Sequence, residues 1–459
     1  MKILQQIGLA LVVALGIPLG ACNDLVKVDN PNVIDPGNLN DANGATALRV
    51  GALGDFAFAV DGDGGGTEGQ TLVSGLLSDE YRNSDTFGTR QEVDQRAVQP
   101  ANTTLTGVFR LIHRARLGAE RAAKALVATA ADPTTDPRIA EMWNVAGFTY
   151  VIIGENYCSG VPFPAEGETA SPPITTPEIF NQGIVRFDAG LAAAAALDTT
   201  GPDSASRQPK KDLRQQWLNF GRVGKARALL DLNQPATAAA LLGPVPDTFK
   251  YVIEHSAAST REENGTYEFN AIAKRWSMSD LEGGNGLPFL SANDPRVPYT
   301  SHAKDTSVAR FGFDAVTPFF ILQKYTSRSD PTHLADGVEA RLIEAEAALA
   351  AGDAPTWLAK LNALRVTVPG LAPLADPGTP AAQVDLTFRE RAFWLYATGH
   401  RLGDLRRLVR QYGRGVETVF PTGPFPKGGA FGTDVNLPVP TDEQNNPGYT
   451  PGSCQQNVP

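Results

Sequence analysis

The sequence predicts a mainly α-helical body in which helix hairpins are separated by long loops. Three observations carry this reading. Small and apolar residues recur at helical spacing in several segments. Two of these segments are interrupted by turn residues and then resume, as hairpins do. Between them lie polar stretches that hold much of the chain's 45 Gly and 34 Pro.

Leu111, Ala115, Gly118, Ala122 and Leu126 follow one another at spacings of four, three, four and four, the stripe of one helix face. Val338, Leu342, Ala345 and Leu349 repeat the pattern until Gly352-Asp353 stops it, and a new helix opens near Pro355. The stretch "EARLIEAEAALAAGDAPTWLAKLNALR" therefore reads as a helix–turn–helix hairpin. "GKARALLDLNQPATAAALL", from Gly224 to Leu242, is a weaker counterpart. Small residues facing large ones in such hairpins suggest tetratricopeptide-like packing, although the repeats are too few and irregular for a regular solenoid. The loops at 61–70, 162–177, 199–212, 281–306 and 421–453 are long enough to carry function or an interface. A loose division falls near residue 245.

Hydrophobic residues make up 42% of the 459 positions and charged residues 20%, which supports a sizeable core. Lys and Arg total 40 against 50 Asp and Glu, a net charge of −10, and no basic run is present. Such a chain is a poor binder of phosphate backbones, so no nucleic-acid partner is expected. Past residue 21 no apolar stretch is long enough for a transmembrane helix.

The amino terminus predicts a destination. Lys2 is followed by the apolar run Ile7–Leu19, which falls short of the ~20 residues that span a bilayer, and then by Leu19-Gly20-Ala21-Cys22. This is the layout of a secretory signal peptide. Leu-Gly-Ala-Cys is similar to a bacterial lipobox, in which the Cys thiol is acylated (with palmitate among the acyl groups) and becomes the new amino terminus. The expectation is a signal peptide at 1–21, lipidation at Cys22 and an Asn/Asp/Pro-rich tether over 22–43. A diacyl anchor would attach the protein stably to a membrane.

Catalytic and metal signatures are missing. Gly64-Gly65-Gly66-Thr67-Glu68-Gly69 satisfies G-x-G-x-x-G, but no Val/Ile-rich strand precedes it and no βαβ unit follows. Asp61 and Asp63 open a calcium-loop pattern that fails at Gly65 and Leu72. The segment reads as a flexible surface turn. His113, His255, His302, His333 and His400 show no paired spacing, so no metal site is expected. Neither G-x-S-x-G nor a P-loop occurs, so neither an enzyme nor a cofactor is expected. With Cys22 lipidated, Cys158 and Cys454 remain; in an oxidising compartment they either pair or stay as two free thiols. Two polar segments, "SDEYRNSDTF" (78–87) and "RWSMSDLEGG" (275–284), each set an aromatic beside Arg and Asp. That grouping suits a sugar ring, a capped helix end or a protein interface.

Several segments together resemble the SusD/RagB family of outer-membrane nutrient-binding lipoproteins. The lipobox and tether are similar to that family's amino terminus. "RERAFWLYATGHRLGDLRRLVRQYGRG" (389–415) resembles its late helix pattern through Glu390, Gly399, Arg401, Asp404, Leu405 and Arg407. "LPVPTDEQNNPGYT" (437–450) resembles its closing segment through Pro438, Pro440, Glu443, Asn446 and Pro447. The resemblance implies a SusD-like helical body with an N-terminal region over 44–245 and a C-terminal region over 246–459. It also implies a lipid-anchored protein at the outer membrane, on the cell surface, that captures oligosaccharide or peptide without cleaving it. Its partner would be a TonB-dependent, SusC-like barrel over which it sits as a lid. Ligand sites in the family lie in loops of the amino-terminal half and mid-chain, which points to Tyr81 and Trp276 as stacking rings and to Asp79 and Arg82 as hydrogen-bonding partners. A helical-repeat scaffold of envelope proteins and a hydrolase with an unrecognised site are the competing readings.

Overall fold

The computed structural model describes residues 41–168, 170–200 and 209–459; Cys22, the signal peptide and nearly all of the tether lie outside them. Helices dominate. Helix α1 (Ala42–Asp61) is started by Asp41, whose side chain accepts from Gly44 N. After α2 (Gln70–Leu77) and α3 (Gly88–Asp94) comes the long α4 (Thr103–Thr129), capped by Asn102. Its buried residues include Ala115, Ala122 and Leu126, the stripe read from the sequence. Helices α5 (Arg138–Asn156), α6 (Thr176–Ala196), α7 (Lys210–Asp231) and α8 (Pro235–Ala240) follow. A Thr175–Glu178 capping box opens α6.

These helices pack neighbour on neighbour: α1 on α4, α4 on α5, α5 on α6, α6 on α7 and α7 on α8. Glycines set the closest approaches. A Cβ on Gly147 of α5 would meet the Phe187 ring of α6 at 2.7 Å, and one on Gly224 of α7 would meet the same ring at 2.4 Å. The small-opposite-large pattern of the sequence is thus an interdigitated helix stack.

The C-terminal hairpin is α9 (Gly337–Ala350) and α10 (Ala354–Arg365). Gly352 turns between them at φ +75°, a conformation costly for other residues, and Asp353 caps α10. Helices α11 (Pro380–Trp394) and α12 (Arg401–Arg410) complete the helical set used below. The late pattern at 389–415 therefore spans the end of one helix and the whole of the next. Ala397 and Gly399 take positive φ between them, and the Ala397 N–H so released donates to Glu80 at 2.9 Å.

The residues that carried the family resemblance in this region form buried ion pairs. Glu390 receives Arg296 and Arg365, Asp404 receives Arg391 and Arg407, and Arg401 reaches Asp79. Burial pushes the Asp404 carboxyl up, but the two guanidinium charges outweigh it and hold it well below the carboxylate range. The closing Pro segment runs back across the end of α5, where Leu437 N donates to Asn156 O at 2.8 Å and Cys158 N to Leu437 O at 3.0 Å. Cys158 and Cys454, with Cα atoms 5.2 Å apart, are joined there as a disulfide.

Strands are short and paired in twos, all antiparallel: β1 (Tyr81–Asn83) with β5 (Trp276–Met278), β2 (Val161–Pro162) with β3 (Pro173–Ile174), β4 (Lys250–Ile253) with β8 (Thr332–Asp336), and β6 (Tyr299–Ser301) with β7 (Phe320–Leu322). The main core extends from Ala45 to Val439, and a smaller one forms around Trp357 within the C-terminal hairpin. No helix among the described residues is long and apolar enough to cross a membrane.

Candidate ligand-binding site

The two polar segments singled out in the sequence meet in the fold. Strands β1 and β5 place Tyr81 opposite Met278, Arg82 opposite Ser277 and Asn83 opposite Trp276. Side chains alternate along a strand, so Tyr81, Asn83, Trp276 and Met278 share one face. That face is the core. Tyr81 and Trp276 are both wholly buried, with ring centroids 6.0 Å apart in an edge-to-face pair, and Phe269 and Tyr396 close around them. The expectation that these rings stack on a ligand is corrected by the register: neither has an open face.

Asp79 is corrected in the same way. Its carboxylate is buried and accepts from Arg401 Nε at 2.6 Å, Arg401 Nη2 at 2.9 Å and Leu287 N at 2.8 Å. Arg82 is half-buried and committed to Glu282 at 2.6 and 2.9 Å. Both tie distant parts of the chain together. The glycine turn is likewise not a free surface turn. Its tip is exposed, but Gly62 bridges to Glu68, and the buried Glu68 pairs with Arg90.

Just beyond the ladder the same two segments reach solvent. Ser84 N donates to Arg275 O at 2.9 Å, and a hairpin from Phe311 to Pro318 is fastened alongside: Phe313 N donates to Lys274 O at 2.8 Å and Asp314 N to Ser84 O at 3.0 Å. Gly312 permits this contact, since a Cβ there would meet the Ser84 side chain at 2.3 Å. Lys274 and Ala315 hold positive φ at the two turns, the kind of local strain that collects at functional sites.

The result is an aromatic face. Phe87 is 51% exposed, Phe313 51% and Phe311 45%, and among the described residues no other aromatic ring is so open. The Arg275 guanidinium lies 4.2 Å from the Phe313 centroid and 5.3 Å from that of Phe87. Its Nη1 donates to both oxygens of Asp85 at 2.9 Å. Arg90 pairs with Asp85 from beneath and lies 4.7 Å from the Phe87 ring centroid. Burial pushes Asp85 up, but hydrogen bonds from Arg275, Thr86 N and Arg90 outweigh it and keep the carboxyl below its usual range. Lys427 bridges Asp85 O and Asp314 at 2.7 Å each, and its bond, with those from Thr317 and Val316 N, lowers Asp314 to about 2 against the effect of burial. The platform is therefore pre-organised: open rings with a fixed planar donor between two of them, over a locked carboxylate.

Sequence reasoning reached Phe87 and Arg275 as members of the two segments but chose their buried neighbours. It missed Phe311 and Phe313 altogether. The available signal was "FGF", two aromatics flanking a glycine in an otherwise polar loop.

No family model matches the sequence, and no curated protein does. Solved structures do. A laminarin-binding SusD-like protein superposes with a TM-score of 0.62 at 16% identity, covering 90% of this chain and 100% of that one. The fold is that of the SusD superfamily. Surface glycan-binding protein A from Bacteroides thetaiotaomicron, solved with laminarihexaose, gives a TM-score of 0.65 at 12% identity over 91% of this chain and 99% of that chain. A SusD superfamily protein from Bacteroides fragilis gives 0.62 at 15% over 88% and 97%. The SusD-like architecture expected from the hairpins and the late motif is thus the one present, in a mainly α-helical chain.

Proposed function

We propose that this protein is a non-catalytic, oligosaccharide-binding lipoprotein that captures its ligand on the face formed by Phe87, Phe311, Phe313 and Arg275. The supporting observation is the set of open phenyl rings held beside a guanidinium already fixed by Asp85. Ring faces bind the apolar face of a pyranose, and a planar donor at their edge orients hydroxyls. The choice of glycan over peptide is supported by the laminarin named for one structural neighbour and the laminarihexaose bound to another. Acylation at Cys22 would hold the protein at the outer membrane, facing outward, with a TonB-dependent barrel beneath it as partner. A tether of about 20 residues between Cys22 and α1 reaches at most roughly 65 Å when extended, room for a lid to lift without leaving the membrane.

Titration of the whole mature chain with laminarin, and with an α-glucan for comparison, tests the binding reading. Replacing Phe87 and Phe313 together by Ala should weaken binding roughly five- to hundredfold, since each aromatic contact contributes about 0.5–1.5 kcal/mol. Unchanged affinity in the folded double variant would remove the platform from the site. Cys22→Ala should release the protein from membranes, and crosslinking in cells should recover the barrel. A chain that remains acylated, or that captures no barrel, refutes the corresponding part.

A further inference from the structure

The aromatic face is positively charged on a chain that is acidic as a whole. Segments 84–88, 271–275, 310–318 and 424–430 meet there through Ser84, Lys274, Phe313, Asp314 and Lys427. Their cations are Lys274, Arg275, Arg310 and Lys427, and their only acids are Asp85 and Asp314, although the chain carries a net charge of −10.

Both acids are already matched. The Asp85 side chain is wholly buried and accepts from Arg275, Arg90 and Thr86 N; Arg90 also pairs with Glu68. Asp314 Oδ1 accepts from Val316 N at 3.0 Å and Thr317 N at 2.9 Å, and Oδ2 from Thr317 Oγ1 at 2.6 Å and Lys427 Nζ at 2.7 Å. Asp85 and Glu68 therefore cancel Arg90 and Arg275, and Asp314 cancels Lys427. Lys274 and Arg310 remain in excess. Both are exposed, and their side chains have neither an ion pair nor a hydrogen bond among the described residues.

Donors are left over as well. Arg275 gives Asp85 only Nη1; its Nε and Nη2 have no hydrogen-bond partner among the described residues and are open to solvent. That edge of a guanidinium presents two parallel N–H bonds, the arrangement a carboxylate accepts as a pair. Lys427 has used two of its three ammonium donors, on Asp85 O and Asp314. A carboxylate borne on a ring that packs against phenyl faces is a uronic acid. Resting on the reading of this face as a glycan site, we propose that its ligand is a uronic-acid-containing oligosaccharide. One carboxylate takes Nε and Nη2 of Arg275, its pyranose ring lies against Phe87 and Phe313, and further carboxylates along the glycan meet Lys274 and Arg310.

Calorimetric titration of the whole mature chain with an oligoglucuronate and an oligogalacturonate, each beside its carboxyl-reduced neutral form, tests this. One uronate should bind roughly ten- to hundredfold more tightly than its reduced form, and added salt should narrow the gap. Arg275→Lys keeps the charge but removes the fork, and should cost that uronate roughly tenfold. Should that variant fail to fold, Lys274→Gln with Arg310→Gln, which breaks no contact, should still cut the preference for the uronate roughly two- to tenfold. Laminarin bound through Phe87 and Phe313, with no uronate preferred over its reduced form, overturns this inference and leaves the glycan face standing. Sulfated laminarin that matches the better uronate overturns the carboxylate assignment, since any anion would then serve. A folded chain that binds neither laminarin nor a uronate has no glycan face, and both readings fall.

Discussion

Trp276→Ala separates a core role from a binding role. The indole is wholly buried on β5 and makes edge-to-face pairs with Tyr81 and Phe269, both at 6.0 Å between centroids. Truncating a buried Trp to Ala costs about 3–5 kcal/mol, and the loss of two aromatic pairs places this case near the upper end. That is a large fraction of the ~5–15 kcal/mol by which a folded domain is stable. Phe313→Ala is the contrast. Its ring is half exposed, so the lost burial and the lost contact with Arg275 together come to about 1 kcal/mol. Urea denaturation followed by far-ultraviolet circular dichroism, run beside laminarin titration, reads both effects. Trp276→Ala should shift the unfolding midpoint strongly, whereas Phe313→Ala should leave it nearly in place and weaken the ligand. If Trp276→Ala stays within about 1 kcal/mol of wild type but loses ligand, the indole is a surface platform after all and the β1–β5 register is wrong.

Asp79→Ala should cost about 3–5 kcal/mol by leaving Arg401 buried and unpaired, and Asp79→Leu with Arg401→Met should recover most of it in the same denaturation assay. Stability should fall as pH rises from about 6 to 8. Burial alone would lower the His255 pKa, but its contact with Asp61 at 3.1 Å, the charges of Asp61 and Glu254 and the Glu262 carbonyl raise it, so its contribution is complete below the unfolded value of 6.5 and is lost as pH passes the raised value. Glu80, pushed up from 4.5 to about 7 chiefly by burial, with the Ala397 N–H opposing, Asp79 adding to it and Arg401 and Lys324 opposing, acts in the same direction between those two values, because the unfolded chain releases its proton earlier. His255→Gln should flatten part of that slope in urea melts across the range; an unchanged slope refutes the assignment. Reducing Cys158–Cys454 opens a loop spanning 296 residues, for which chain entropy gives about 5.7 kcal/mol, whereas disulfides typically contribute ~2–4 kcal/mol. The urea midpoint should drop accordingly in dithiothreitol, and no drop in a chain with both thiols released would show that the strap is held by packing alone.

Much of this architecture is local in origin and was legible for that reason. The stripe Ala115, Ala122, Leu126 and the break at Gly352-Asp353 express helix periodicity and capping, which depend on residues three or four apart. The signature around Glu390, Arg401, Asp404 and Arg407 could be recognised as a pattern, yet its work is to form ion pairs with residues as distant as Asp79. Nothing in the sequence says that Asp79 would be taken by Arg401 and lost to any ligand.

The candidate site shows the same division at finer grain. Composition and motif marked 78–87 and 275–284 as the segments to watch, and they do lie side by side. Which ring of each faces water was not local information. A strand has two faces, and a shift of one residue exchanges them, so only the pairing of Asn83 with Trp276 across nearly two hundred residues sends Tyr81 and Trp276 inward. The same pairing leaves Phe87 and Arg275 outside, where the 311–318 hairpin brings Phe311 and Phe313 to join them. Periodicity along the chain determined the helices; contacts between parts of the chain remote in sequence decided which side chains were left to bind anything.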